Sequence, residues 1–484
     1  VLRVLGSPKR LCDGLTRREL LQAGSISLLG LGLGELGEAV AADRPPARHI
    51  ILLFLYGAVS QLDTLDPKPD APEDIRGPFR TIATRLPGVR LAEHLPRLAS
   101  MLDRVSLVRS MSHPYPIHGV AYAVTGIGHV DIPMELNRHD IRHWPYFGSV
   151  LDYLEDQDHP GGGLPPVPRT MHLPWVQSTR SGPHQRAGLF AGFLGARYNP
   201  VVAEFVGQAT VPATYRANDP HGGIAPGGRF EIANTALAAD LTLDRLNTRV
   251  RLVDQFDQQL RHLDATPAGT SVGRSRAQAL SVTTSPRLRQ ALDLDCEPVR
   301  VREHYGQHLF GQSTLQARRL IEAGARLVSV HWDEFGLSDG AWDTHEKQTV
   351  RLRDELCPGF DQAFTALLDD LEQRGLLDET LIVCMTEHGR TPHAERRGDS
   401  VDGRNHWSEC YSILLAGGGI ARGRVVGASD ARGAYPSERP ISPKDILHTI
   451  YHLLGVDPHR TIPDRLDRPV PLVAEGNLVC ELLR

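Results

Sequence analysis

Thr380-Leu-Ile-Val-Cys-Met385 runs apolar without alternation and breaks directly into Thr386-Glu-His-Gly-Arg-Thr-Pro392. An apolar run of this length, ended by glycine and proline, reads as a strand buried on both faces. His49-Ile-Ile-Leu-Leu-Phe-Leu-Tyr56 repeats the pattern and runs into Gly57-Ala-Val-Ser-Gln-Leu-Asp63-Thr-Leu-Asp66-Pro67. Strands buried on both faces need covering layers on both sides, which points to a parallel sheet.

The last third of the chain supplies those layers. A helix around Leu309–Ala323 stops at Gly324 and feeds the strand Leu327-Val-Ser-Val330. A second helix carries Phe360, Phe364, Leu367, Leu368 and Leu371 on one face, ends near Gly375, and precedes the Thr380 strand. Tyr411-Ser-Ile-Leu-Leu-Ala416 is a further strand, closed by the turn Gly417-Gly-Gly419. Ser442-Pro443 then opens a capped helix that runs to Leu454 and Gly455. Strand and helix in alternation predict an α/β fold with a mainly parallel central sheet. Earlier in the chain, Val105-Ser-Leu-Val108 is a shorter strand. Residues 155–235 read as loops and an inserted cap, 241–263 as a helix, and 266–285 as a linker, so the insertion spans about 155–300.

With 484 residues the chain suffices for one large α/β domain with insertions or for two domains. A net charge of -5 gives no electrostatic case for nucleic acid or an anionic membrane surface. Cys12 lies in the leader segment, and the other five cysteines are widely spaced, with no C-x-x-C pair, so neither a disulfide framework nor a zinc knuckle is indicated. Thr16-Arg17-Arg18-Glu19-Leu20-Leu21, a weakly apolar stretch from Ala23 to Leu36 and Ala39-Val40-Ala41 together read as a twin-arginine signal peptide over 1–42. The expected partners are therefore the twin-arginine (Tat) export machinery, with a periplasmic or extracellular destination. No later segment has the ~18 uninterrupted apolar residues of a spanning helix, so no stable membrane insertion is expected after leader cleavage.

Several side chains at strand ends carry possible chemistry. Glu387 and His388 close the Thr380 strand, where open α/β sheets place their ligands. Asp343-Thr-His345 follows the Leu327 strand, and His406 sits in a polar loop before the next. Carboxylate and imidazole are donors for a divalent ion such as zinc or manganese. Against this stand ordinary pairings: Glu387 with Arg390, and the histidines with backbone. Asp63 and Asp66 are weaker candidates, since Asp66-Pro67 is also a turn signal. Ser110, Ser112, His113 and His118 occupy the loop after the second strand, where a serine is a potential nucleophile and a histidine a potential acid or base. His448 and His452 lie four apart without a third ligand and read as surface or packing residues.

Several motifs carry a resemblance. Leu55-Tyr-Gly-Ala-Val-Ser-Gln-Leu-Asp-Thr-Leu-Asp-Pro-Lys-Pro69, Phe193-Leu-Gly-Ala-Arg-Tyr198, Trp342-Asp-Thr-His345, Arg374-Gly-Leu-Leu-Asp-Glu-Thr-Leu381, Glu387-His-Gly-Arg-Thr-Pro392 and Gly427-Ala-Ser-Asp430 with Gly433-Ala-Tyr-Pro436 stand in collinear order. Over about 48–475 the chain resembles the exported domain-of-unknown-function family 1501, grouped with the alkaline phosphatase and sulfatase superfamily. The resemblance implies an alkaline-phosphatase-like α/β/α sandwich with metals at the carboxyl ends of the strands. Glu387-His388-Gly389 resembles the superfamily's Asp-His-Gly segment, Asp343 and His345 its preceding acid–histidine pair, and His406 its last histidine. Many family members have phenylalanine where this chain has His388.

Two departures stand out. The superfamily's first strand ends in an aspartate, where this chain has Tyr56-Gly57. Ser112-His-Pro-Tyr-Pro116 has Ser-x-Pro without the following arginine, so formylglycine-based sulfatase chemistry is not implied. The resulting expectation is an exported metal-dependent hydrolase of phosphate or sulfate esters, acting on a small-molecule or polysaccharide ester. Asp343, His345, Glu387, His388 and His406 would bind one or two zinc or manganese ions. Arg390 would contact the anion, Ser112 is the candidate nucleophile, and His113 or His118 would be the acid–base group. The alternative is a non-catalytic binding or surface-assembly protein that keeps the fold.

Overall fold

A computed structural model describes residues 45–484 apart from 116–117, 128–133, 135, 139, 178–186, 208, 211–222, 225–227, 234–276 (245 and 248 excepted), 333–340 and 396–401. The expected signal peptide, the 241–263 helix except for 245 and 248, and the first half of the 266–285 linker lie outside the described residues.

Eight strands form the central sheet: β1 (His49–Leu55), β2 (Ser106–Met111), β3 (Thr170–Leu173), β4 (Val201–Val202), β5 (Leu327–Trp332), β6 (Thr380–Met385), β7 (Tyr411–Ala416) and β8 (Val425–Val426). Their order is β8-β2-β7-β6-β1-β5-β3-β4. The two unalternating runs, β1 and β6, lie side by side in parallel register, with Leu53 opposite Cys384. Both are buried along almost their whole length, as apolarity on both faces requires.

Every pairing is parallel except the two made by β7, which runs antiparallel to β6 and β2. The reason is the connection. No helix occurs among the described residues between β6 and β7, and a parallel return needs a crossover.

Five helices matter for the site: α1 (Val120–Thr125), α2 (Phe147–Asp158), α3 (Leu309–Glu322), α4 (Cys357–Gln373) and α5 (Pro443–Leu453). Alternation along β5 shows that both faces are covered. Trp332 packs on Phe310 of α3 with ring centroids 4.4 Å apart. Ser329 points the other way and hydrogen-bonds to the Tyr146 hydroxyl, at the start of α2, at 2.7 Å. The α3 helix ends two residues before Gly324, whose φ of +106° suits glycine. α5 begins with a capping box between Ser442 and Asp445 and with Pro443 in its first turn. Leu53 and Leu367 are fully buried, and truncating either to alanine costs about 2–5 kcal/mol.

The region read as a loop-rich insertion differs from that reading. It contains the end of α2 and two strands of the central sheet, β3 and β4. Four and two residues, flanked by prolines, are too short to show periodicity in the sequence. Ala47–Arg484 forms one compact unit. No helix among the described residues is long and apolar enough to cross a membrane.

Candidate metal centre

The carboxyl ends of β1, β5 and β6 lie together because these strands are adjacent and parallel. Their following loops therefore meet over one edge of the sheet, with the loop after β2 beside them. Asp343 and His345 come from the loop after β5, Glu387 and His388 from the end of β6, and His118 from the segment before α1. His406 returns on a two-residue ribbon in which it pairs with Arg390.

Two groups of potential ligand atoms result, each within 4.8 Å: His118, His388 and His406, and Asp343, His345 and His406. The His118 and His406 rings are 4.1 Å apart, and those of His388 and His406 4.8 Å. Side-chain exposure falls from 21 % at His406 to 7 % at Asp343, His118 and His345. His388 is fully buried. The centre thus opens to solvent on the His406 side.

Hydrogen bonds fix which ring atoms face inward. His118 Nδ1 lies 2.8 Å from Glu387 Oε1, and a carboxylate can only accept, so Nδ1 carries the hydrogen. His388 Nδ1 likewise donates to the Gly389 carbonyl at 2.8 Å. Its Nε2 is then a bare acceptor, buried and without a partner. Burial, followed by His118 and His406, holds His388 well below the ordinary histidine range. Burial also depresses His406, to about 4. His118 goes the other way: burial opposes its charge, yet Asp343 and then Glu387 outweigh burial and raise it to about 9. Asp343 stays well below the usual carboxylate range, because Arg390 and His118 outweigh the burial that opposes its charge.

Several residues sit differently from the sequence expectation. Glu387 belongs to neither ligand group. Its carboxylate accepts from Gly57 N–H at 2.8 Å, from His118, and from the Thr386 hydroxyl at 3.2 Å. It stands behind His118 as an orienting group, the usual partner of a metal-binding imidazole. Arg390 is no anion contact. It is fully buried, and its guanidinium donates to the carbonyls of Ala58, Arg404, Gly57 and Trp342 and to Asp343 Oδ1. The side chain is thus turned inward, onto the backbone and Asp343.

His113 is committed as well. Its Nδ1 accepts from Tyr115 N–H at 3.2 Å and its Nε2 donates to the Glu387 carbonyl at 2.7 Å, while burial lowers its pKa to about 4. A neutral imidazole with both nitrogens used has no proton to exchange. Ser112 follows β2, is tied by its amide to the Ile441 carbonyl at 2.8 Å, and belongs to neither group. Asp63 and Asp66 are spent on structure. Asp63 accepts from Ser60, Gln348 and Arg404, and Asp66 from Lys68 and Ser429.

His118 as a member of a ligand group was missed by sequence reasoning, which gave it an acid–base role. The available signal was its place just before α1, a helix facing the same strand ends. Gly57 explains the absent aspartate: its φ is +103°, and a Cβ there would collide with the Asp343 amide.

The profile of the family described as "Protein of unknown function (DUF1501)" matches residues 47–483. The chain is a DUF1501 protein. No curated protein matches it. Solved structures similar to this DUF1501 chain include the PsFucS1 sulfatase from Pseudoalteromonas sp., at 11% identity and a TM-score of 0.36, covering 90% of this chain and 72% of that one. An alkaline phosphatase superfamily protein from Vibrio parahaemolyticus follows at 9% identity and 0.39, covering 85% and 67%. The zinc complex of the C-terminal periplasmic domain of EcEptC from Escherichia coli gives 11% and 0.37, covering 85% and 83%. At scores this low the likenesses assign no substrate and no site residue to the DUF1501 chain.

Proposed function

We propose that this protein is an exported, metal-dependent hydrolase of phosphate or sulfate esters. One observation carries the reading: at the carboxyl edge of the sheet, the imidazoles of His118 and His406 converge with the buried, unpartnered Nε2 of His388, and His406 is shared with a second group containing the Asp343 carboxylate. Leaving a buried acceptor unmet costs about 1–3 kcal/mol, which a cation would offset. The donor set of imidazoles and one carboxylate suits zinc or manganese.

A divalent ion held there supplies Lewis acidity toward an ester oxygen and lowers the pKa of a bound hydroxyl or water. The chain's own residues prepare the place. Glu387 holds the hydrogen of His118 on Nδ1 and turns Nε2 inward, and the Gly389 carbonyl does the same for His388. Arg390 fixes Asp343 and the Gly57 turn relative to each other. His113 anchors the Glu387 backbone from behind. An ester would approach from the His406 side, where the site is open. Export rests on the twin-arginine leader, with a periplasmic or extracellular destination.

Metal analysis of the purified protein beside His388→Ala, with turnover of aryl phosphate and aryl sulfate esters, tests the proposal. Bound metal and hydrolysis, both lost in the variant, are the expected result. No metal in either protein ends it.

A second reading has its own support. Ser112 lies outside both ligand groups, and Gly57 cannot carry the first-strand carboxylate. These favour a non-catalytic binding or surface-assembly protein. A metal-loaded protein inactive across the ester panel would select it.

A further inference from the structure

The two candidate ligand groups are not equivalent, and they compete. His406 belongs to both. A neutral imidazole has one lone pair to give, so it serves one ion at a time.

In the Asp343 group the carboxylate oxygen and the inward nitrogen of His345 are already engaged, although His345 Nδ1 has no partner. Asp343 Oδ1 accepts from the Arg390 guanidinium and lies 2.9 Å from His345 Nε2. With its hydrogen on Nε2, His345 donates to that oxygen and keeps no inward lone pair on this nitrogen. Arg390 cannot shed its proton, and it is fixed by four backbone carbonyls. A divalent ion on Asp343 Oδ1 would sit against a permanent cation inside the protein, where screening is weak.

The His118 group differs in that no guanidinium is seated on its ligand atoms and its central nitrogen is open. Glu387 and the Gly389 carbonyl hold the outer nitrogens of His118 and His388. The inner nitrogen of His388 has no partner at all. The second oxygen of Asp343, Oδ2, faces His118 Nε2 at 3.4 Å, which gives the group a carboxylate at its edge.

We infer that the centre holds a single divalent ion on His118, His388 and His406, with Asp343 Oδ2 beside them, and that the Arg390 guanidinium stands in the place of a second cation. The inference rests on the metal-dependent reading above and deepens it by fixing stoichiometry and ligand choice. Asp343 then has a divided role: one oxygen neutralises a resident guanidinium, the other faces the ion. His345 becomes a positioning residue that orients Asp343.

Equilibrium dialysis of the purified full chain against Zn²⁺, and separately Mn²⁺, followed by elemental analysis, tests this. Circular dichroism melts confirm that each variant is folded. The wild type is expected to take up one ion per chain. His388→Ala and His118→Ala should lose it. His345→Ala should keep one ion, weakened by no more than the 10–100-fold typical of lost outer-shell contacts. If Arg390→Gln folds, it should bind a second ion, whereas Arg390→Lys should stay at one. If Arg390→Gln does not fold, His345→Ala against His388→Ala still decides.

Two ions per chain in the wild type, or retention in His388→Ala with loss in His345→Ala, would overturn the inference. Two ions with ester hydrolysis overturn it while leaving the proposed function intact. One ion without hydrolysis leaves it standing and removes the hydrolase reading. No ion at all removes both.

Discussion

Arg404 and Asp63 are buried together beneath the same loops as the histidine centre. Asp63 accepts from Arg404 at 2.7 Å, from Gln348 at 2.8 Å and from Ser60 at 2.5 Å. Arg404 also donates to the carbonyls of Ile75, Thr391 and Pro392. In the histidine centre, by contrast, the ring nitrogens of His118, His388 and His406 converge within 4.8 Å of one another, and His388 Nε2 meets nothing. The first cluster closes on itself and holds loops in place. The second is finished only by something from outside, a proton or a cation. Both are polar and buried, so burial alone does not mark a site; an unmet nitrogen among converging ligand atoms does.

Acid should have the largest effect, acting through buried histidines outside both clusters. Burial holds His113, His172 and His308 at about 4 against an ordinary 6.5. The unfolded chain then binds more protons than the folded one between these values. The stability these groups contribute is complete above pH 6.5 and is lost as pH falls through 4, by roughly 3 kcal/mol per histidine at most. Urea denaturation midpoints between pH 7 and 4 check it, and a flat profile would refute it.

Next in size is Arg404→Ala, which strands the buried Asp63 carboxylate. A loss of about 3–5 kcal/mol is expected in chemical denaturation. A loss below about 1 kcal/mol, the level of a surface pair, would mean the cluster is not closed.

His118 gives a smaller effect of opposite sense. Its folded pKa of about 9 lies above the unfolded 6.5, so its contribution to the metal-free protein is complete below pH 6.5 and lost as pH rises through 9. The expected loss is at most roughly 3 kcal/mol. Thermal melts of chelator-treated protein at pH 6.5 and 9.5 measure it, and it should disappear in His118→Gln.

The smallest stability effect is expected at the centre itself. His388→Phe exchanges an unmet nitrogen for apolar surface of similar shape, which is near neutral for the metal-free fold, within about 1 kcal/mol. Metal uptake should nonetheless vanish. A large destabilisation would show that His388 is structural, like Arg404.

The sequence was most legible where one physical requirement dominated. β1 and β6 declare themselves because burial on both faces demands unbroken apolarity, and α5 because Ser442-Pro443 can only open a helix well. β3 and β4 were hidden because so short a strand has no period to read. Asp343, His345, His388 and His406 were legible as donors at strand ends, and the fold brings them together. The roles of Glu387 and Arg390 were not. An acid beside a histidine at a strand end reads as a ligand, yet which face each presents depends on the turn that follows. Arg390 reads as an anion contact until the four carbonyls around it are seen, and three of them come from distant segments. Hydrogen bonds to backbone carry no residue signature.

Gly57 bears on redesign as well as chemistry. With φ at +103° and the Asp343 amide where a side chain would begin, the tip of β1 accepts no other residue without a shift of the facing loop. Placing an acidic group there takes a second, compensating change in the Trp342-Asp343 loop, so a single substitution cannot install one, and redesign of this edge has to start from the histidines already present.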